Sequence, residues 1–160
     1  VADLHGHQGS GTQGTFGEDG RVASLSVHRS PFSTGTGGRD ETGSGAGLGL
    51  TVNVPLPAGA GDGEYAGGFE TALEGLLRRF RPELVLASAG FDAHHRDPLG
   101  GMRVSAEGFA RLARSLARAA DAFAGGRLIS VLEGGYDPSG TAEGALARAR
   151  VLAGDREPSH

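Results

Sequence analysis

Hydrophobic positions recur along this chain with two periods, and the switching between them lays out its elements. In LTVNVPLP, Leu50, Val52, Val54 and Leu56 take every second position, the pattern of a half-buried strand, and Pro57 ends it. From Tyr65 the spacing changes: Tyr65, Phe69, Leu73, Leu76, Leu77 and Phe80 return every three or four residues, which predicts a helix capped by Asp62. RVASLSVH, residues 21–28, has the β-branched and apolar content of a strand, and ELVLASAG is a short apolar strand that delivers FDAHHRDPLGG. Ser105 opens a second amphipathic helix, with Phe109, Leu112, Leu116 and Phe123 on its apolar stripe. RLISVLEGGYD reads as another strand ending in glycines and polar residues, and residues 143–152 as a last helix. The Gly/Ser/Thr-rich stretch from Ser30 to Leu48 is too long for a plain connector and is expected to be functional or mobile.

Strands alternating with helices predict an α/β fold, a mostly parallel sheet with helices on both faces. In such sheets ligands gather at the carboxyl ends of the strands. Here those ends carry DLHGH, SVH, SAGFDAHHRD and LEGGYD, so the chemically able residues collect where an active site belongs. The chain opens at Val1 on VADL, which reads as the last part of a strand, so an upstream portion is expected. Residues 1–153 read as one domain unit and 154–160 as a disordered tail.

Composition narrows the function. At 160 residues and 38% hydrophobic content the chain is one domain in size, and no apolar run approaches membrane-spanning length. No basic segment followed by an apolar one opens it as a signal peptide would. A net charge of −4 with scattered acids and bases gives no electrostatic footprint for nucleic acid or anionic lipid, so neither is expected as a partner. The absence of cysteine excludes disulfides and thiolate metal sites, leaving His, Asp and Glu as metal ligands, and fits a reducing, cytoplasmic setting. Thirty glycines imply backbone positions with positive φ or close approach, although Ala- and Arg-rich helices point to compositional bias as well.

DLHGHQGSGTQG, residues 3–14, admits two readings. Gly9-Ser-Gly11-Thr-Gln-Gly14 fits the G-x-G-x-x-G pattern of a dinucleotide loop, but His5, His7 and Gln8 interrupt the apolar strand that should precede it. The few residues between Gly14 and Arg21, broken by Gly17 and Gly20, are also too few for the crossover helix that pattern needs. The metal reading fares better. His5 and His7 are two apart and would share one side of an extended chain, and Asp92 ends another strand at the same sheet edge. Two histidines and a carboxylate leave a coordination position open on zinc, as in catalytic sites; the plain alternative is three ordinary loop residues.

DLHGHQGSGTQ, SLSVHRSPF…GTG, LTVNVPLPAGAGDGEY, RPELVLASAGFDAHHRDPLGG and VLEGGYD, in this order and spacing, resemble the histone deacetylase superfamily, including bacterial acetoin-utilization proteins and acetylpolyamine amidohydrolases. The likeness runs from Asp3 to about Ala147. It implies the arginase/deacetylase fold, with this chain as the carboxyl-terminal part of a catalytic domain, and zinc-dependent hydrolysis of N-acetyl amides such as acetyl-lysine or an acetylated small amine. It places zinc ligands on His5, His7 and Asp92, and an oxyanion-binding tyrosine on Tyr136. It also implies a structural monovalent cation, usually potassium, at Asp3 and Ser26 with the carbonyls of His5, His7 and Val27. The acyl channel falls on Phe32, Leu99, Gly134 and Gly135. Zinc would polarise the amide carbonyl and lower the pKa of its bound water, and the Tyr136 hydroxyl would bond the developing oxyanion.

Three departures stand out. His5 replaces a zinc-binding aspartate, which removes one negative charge and lengthens the ligand. The family's histidine pair and substrate-gripping aspartate lie upstream of the zinc motif, so this chain alone is expected to be nearly inactive. His94-His95 is expected to be a solvated loop rather than a substitute for that pair. Ser33 stands where relatives carry an aromatic residue, leaving that channel wall less filled. The competing function is a degenerate, non-catalytic relative that keeps the fold as a metal-binding or scaffold protein. Homo-oligomerisation remains open.

Overall fold

The structure, a computed structural model, describes residues 1–31 and 35–154. Its sheet is all parallel, in the order β3-β2-β1-β4-β5. The strands are β1 (Ala2–Leu4), β2 (Ser24–Arg29), β3 (Thr51–Leu56), β4 (Val85–Ala89) and β5 (Leu128–Leu132). The helices are α1 (Ser10–Phe16), α2 (Asp62–Leu77), α3 (Ala106–Phe123) and α4 (Pro138–Leu152), with a short 3₁₀ turn at Gly45–Gly47. From β1 the chain builds outward through β2 and β3, then returns to lay β4 and β5 on the other side of β1. The order therefore reverses between β1 and β4, and a crevice opens there beyond the strand ends.

Side-chain alternation gives the sheet two unlike faces. Ala2, Leu4, Leu25, Val27, Val54, Leu56, Val85, Ala87 and Ala89 are buried in one core with Phe69 of α2 and Phe109, Leu112 and Leu116 of α3. Each large side chain so buried stabilises the fold by about 1.5–3 kcal/mol. α3 packs on both α2 and α4, so the long helices form one layer over this face. The opposite face is polar over β1, β2 and β3, carrying Asp3, Ser26, His28, Thr51 and Asn53, all buried. α1 lies there: Asn53 Nδ2 donates to Gln13 Oε1 at 2.8 Å, and Gln8 Nε2 donates to the same oxygen at 3.0 Å. The loop after β2 is fastened over it. Thr36 donates to Gln8, the His28 ring lies 3.1 Å from the Gly37 carbonyl, and Glu41 accepts from the Gly37 and Gly38 amides.

Three local expectations are corrected. The glycine-rich stretch from Gly9 to Gly14, where the sequence pattern predicts no helix, is itself mostly α1; the Gln13 amide bonds the Gly9 carbonyl. Asp62 is the first residue of α2 rather than its cap, and its carboxylate accepts from Ser105 N at 2.7 Å and Ser105 Oγ at 2.6 Å, tying the starts of α2 and α3 together. α4 begins at Pro138, five residues before the expected start, because Asp137 caps it through the Gly140 amide and proline suits the first helical position. Among the described residues no helix is long and apolar enough to cross a membrane. Phe32 and Ser33, and the tail beyond Gly154, lie outside the described residues.

Candidate active site

The β1–β4 crevice is built from three strand ends. Asp92 follows β4 and is buried. Its Oδ1 accepts the Gly6 amide at 2.7 Å, and its Oδ2 contacts His7 Nδ1. One carboxylate oxygen is thus fixed by backbone from the end of β1, while the other faces an imidazole. His7 remains partly open, with its ring edge-on to Tyr136 at 6.5 Å between centroids.

His5 is more enclosed. Its Nδ1 lies 2.5 Å from Asp3 Oδ1. Burial pushes the imidazole pKa down, but the Asp3 hydrogen bond and the charges of Asp3, Asp92 and Glu133 outweigh it and leave it raised above its ordinary value. The ring lies against Gly90, where any Cβ would fall inside it.

Tyr136 arrives on the Gly134-Gly135 turn after β5. A Cβ at Gly135 would overlap the Thr141 hydroxyl, so this approach requires glycine. A Cβ at Gly134 would stand 3.5 Å from the Tyr136 hydroxyl oxygen and 3.7 Å from Asp92 Oδ2, which puts phenol and carboxylate on either side of one small gap. The Tyr136 amide donates to Asp97 Oδ2 at 2.7 Å, and Asp97 Oδ1 accepts from the Leu99 and Gly100 amides at 2.9 Å each. Asp97 therefore sets where the tyrosine turn meets the DPLGG loop.

A cavity of about 320 Å³ is bordered by His5, His7, Asp92, Glu133, Gly134 and Tyr136, with Asp3 at its edge. The structure thus brings six of the expected residues together: Asp3, His5, His7, Asp92, Gly134 and Tyr136. Leu99 stands exposed on the neighbouring loop and does not border the cavity, and neither does Gly135. Asp3 and Ser26 are paired across β1 and β2, but Asp3 Oδ1 is engaged by His5, and Ser26 Oγ by the Gly9 amide and the His28 ring. The Tyr65 hydroxyl donates to the carbonyls of His5 and Val27. Asp3 Oδ1, Ser26 Oγ and the His5 and Val27 carbonyls thus each have a protein partner already, and no step is derived through a monovalent cation.

For zinc, the described residues contain no ready group of three acidic or imidazole side chains around one point. The donor chemistry nonetheless fits: the His5 and His7 imidazoles and the Asp92 carboxylate border one cavity, and the His7–Asp92 contact already apposes two donor atoms.

His94-His95 is corrected in part. His95 is exposed, but His94 is fully buried, stacked on Phe109 with 6.2 Å between centroids, and Nδ1 accepts the Arg96 amide. It packs in the core and does not reach the cavity. Asp97, Tyr65 and Glu133 were not singled out from the sequence. Asp97 announces itself weakly, as an aspartate opening an Asp-Pro-x-Gly turn. Tyr65 sits on an apolar stripe where a hydroxyl needs a partner. Glu133 carries no such signal.

Comparison with known proteins gives a histone deacetylase domain matching residues 1–152. A "Probable deacetylase" of Archaeoglobus fulgidus is 40% identical over 91% of this chain, and Histone deacetylase 7 of Homo sapiens is 39% identical over 98%. The chain spans 40% and 17% of those two proteins. Among solved structures, the HD domain of HDA15 superposes with a TM-score of 0.89 at 38% identity, covering 99% of this chain and 45% of that one. The histone deacetylase Clr3 gives 0.89 at 35% identity, with 99% and 27% covered. At these identities the sheet and its helices have the arginase/deacetylase fold.

Proposed function

We propose that this chain, which belongs to the histone deacetylase family, carries the metal-binding and oxyanion-binding part of a zinc-dependent deacetylase acting on N-acetyl amides. The chain spans less than half the length of the relatives compared above, so activity, substrate and partners of the whole protein are part of this proposal. The observation that carries it is the meeting of His5, His7, Asp92 and Tyr136 on one cavity at the sheet's reversal point.

His7 Nδ1 and Asp92 Oδ2 would hold zinc, with His5 as the third donor. When bound, zinc supplies Lewis acidity to the acyl carbonyl. The Gly6 amide occupies the other Asp92 oxygen and so orients the carboxylate. The Tyr136 hydroxyl, close to Asp92 across Gly134, is placed to donate to the oxygen that gains charge as the carbonyl is attacked. Asp97 restrains the Tyr136 backbone and limits the range of that hydroxyl. Acetyl-lysine in proteins, acetylated polyamines and related small acetamides are the substrate class. His5, an imidazole where the resemblance puts a zinc-binding carboxylate, favours a second reading, a non-catalytic relative that binds metal weakly or serves as a scaffold.

Hydrolysis of an acetyl-lysine peptide by the full-length protein that carries this chain separates the two. Deacetylase function predicts turnover that a chelator abolishes, zinc restores and His7→Ala removes. Turnover indifferent to the chelator and to His7→Ala would sink the zinc mechanism, and no turnover with intact zinc binding would favour the scaffold.

A further inference from the structure

A neutral imidazole binds a metal through one ring nitrogen, and its other N–H normally bonds a carboxylate or carbonyl that fixes the tautomer and ring orientation. His5 has that partner in place: Asp3 Oδ1, two residues earlier on β1, lies 2.5 Å from Nδ1. With Nδ1 so engaged, Nε2 is the nitrogen left for a metal. His5 and Asp3 also border the same cavity as His7 and Asp92.

The surroundings are shaped around this pair. The His5 ring occupies the space a side chain at position 90 would fill, and a Cβ at Gly9 would overlap Asp3 Oδ2. Asp3 is not drawn elsewhere by its neighbour across the strand, since Ser26 Oγ is held by the Gly9 amide and the His28 ring. The Tyr65 hydroxyl pins the His5 carbonyl at 2.6 Å and the Val27 carbonyl at 2.8 Å, fixing the backbone from which the imidazole projects.

We propose that Asp3 is the positioning carboxylate of His5. It holds the imidazole with Nδ1–H toward itself and Nε2 as the metal donor. The Asp3–His5 unit thereby returns, one residue further out, the negative charge that a carboxylate directly on the metal would supply. The proposal rests on the zinc reading above and adds to it a role for Asp3 that a histidine at position 5 creates.

The test is zinc affinity, measured by competition with a chromophoric chelator, for the protein and its Asp3→Asn, His5→Asp and doubly substituted forms, with His7→Ala as reference. Asp3→Asn should weaken zinc binding about 10–100-fold when His5 is present, the usual cost of losing an outer carboxylate partner. In the His5→Asp background, with no imidazole to position, Asp3→Asn should change it by less than about threefold, so the two substitutions are strongly coupled. Equal losses in both backgrounds, or no loss in either, would overturn the proposal while leaving the zinc reading standing. Zinc binding that is absent, or unchanged in His7→Ala, would overturn both. A measurement on the unsubstituted protein covers the case in which Asp3→Asn fails to fold. Imidazole ¹⁵N shifts of the zinc-loaded form should put the His5 proton on Nδ1 and the metal on Nε2; metal on Nδ1 would refute the assignment.

Discussion

Replacing Tyr65 with phenylalanine should loosen the candidate site from beneath. The side chain is buried in the first turn of α2, and its hydroxyl bridges the ends of β1 and β2 through the carbonyls of His5 and Val27. Phenylalanine keeps the ring and its apolar burial, so what is lost is the hydrogen bonding. Leaving buried carbonyl groups short of a donor costs about 1–3 kcal/mol. For a chain of this size that corresponds to a fall in Tm of about 2–12 °C. Burial, reinforced by the charges of Asp92 and Asp3, holds the phenol pKa well above its ordinary value. The hydroxyl therefore stays a donor, and the deficit should be the same at pH 6 and pH 9. Thermal unfolding followed by circular dichroism at both pH values reads this directly, and a zinc titration should show weaker binding because His5 hangs from the loosened strand end. A Tm unchanged within about 1 °C would refute the bridging role, and so would a deficit that appears only at one pH.

Other outcomes follow from single contacts. Asp97→Ala removes the acceptor of the Tyr136, Leu99 and Gly100 amides, and misplacing the phenol should lower kcat about 10²-fold while zinc affinity holds; steady-state kinetics beside a zinc titration checks both. Gly90→Ala puts a methyl group inside the His5 ring, so it should destabilise the protein by about 1–3 kcal/mol and weaken zinc binding, read by urea unfolding and chelator competition. Burial lowers the His28 pKa below its ordinary value. The unfolded chain then binds the proton more readily, and the stability His28 contributes is present above about pH 6.5 and lost as pH falls through that range. The gap between wild type and His28→Gln should accordingly narrow from pH 7.5 to pH 5.5, and a constant gap would contradict a buried neutral imidazole.

Much of this architecture is legible in the sequence because its strands and long helices obey strict periodicities. The alternation of Val52, Val54 and Leu56 and the stripe of Phe109, Leu112 and Leu116 define β3 and α3 to within a residue or two. Less legible are features where local signals conflict. Gly9, Gly11 and Gly14 argue against a helix, yet Gln13 stitched to Gln8 and Asn53 keeps α1 on the sheet. The Asp-Pro-Ser-Gly run looks like a turn, whereas Asp137 and Pro138 start α4. At the site, motif spacing marks His7, Asp92 and Tyr136, but the partner of each depends on contacts across the chain. Gly6 finds Asp92 and Asp97 finds Tyr136 only after β1, β4 and β5 align. Nor does local spacing show that the His5 ring rests against Gly90 with its Nδ1 on Asp3.

X-ray absorption at the zinc edge of the loaded protein tests the central claim most directly. A site formed by His5, His7 and Asp92 predicts two imidazole nitrogens and a carboxylate oxygen at about 2.0–2.2 Å, with one imidazole lost in His7→Ala. A spectrum with a single imidazole in the wild type, or one unchanged by His7→Ala, would contradict it.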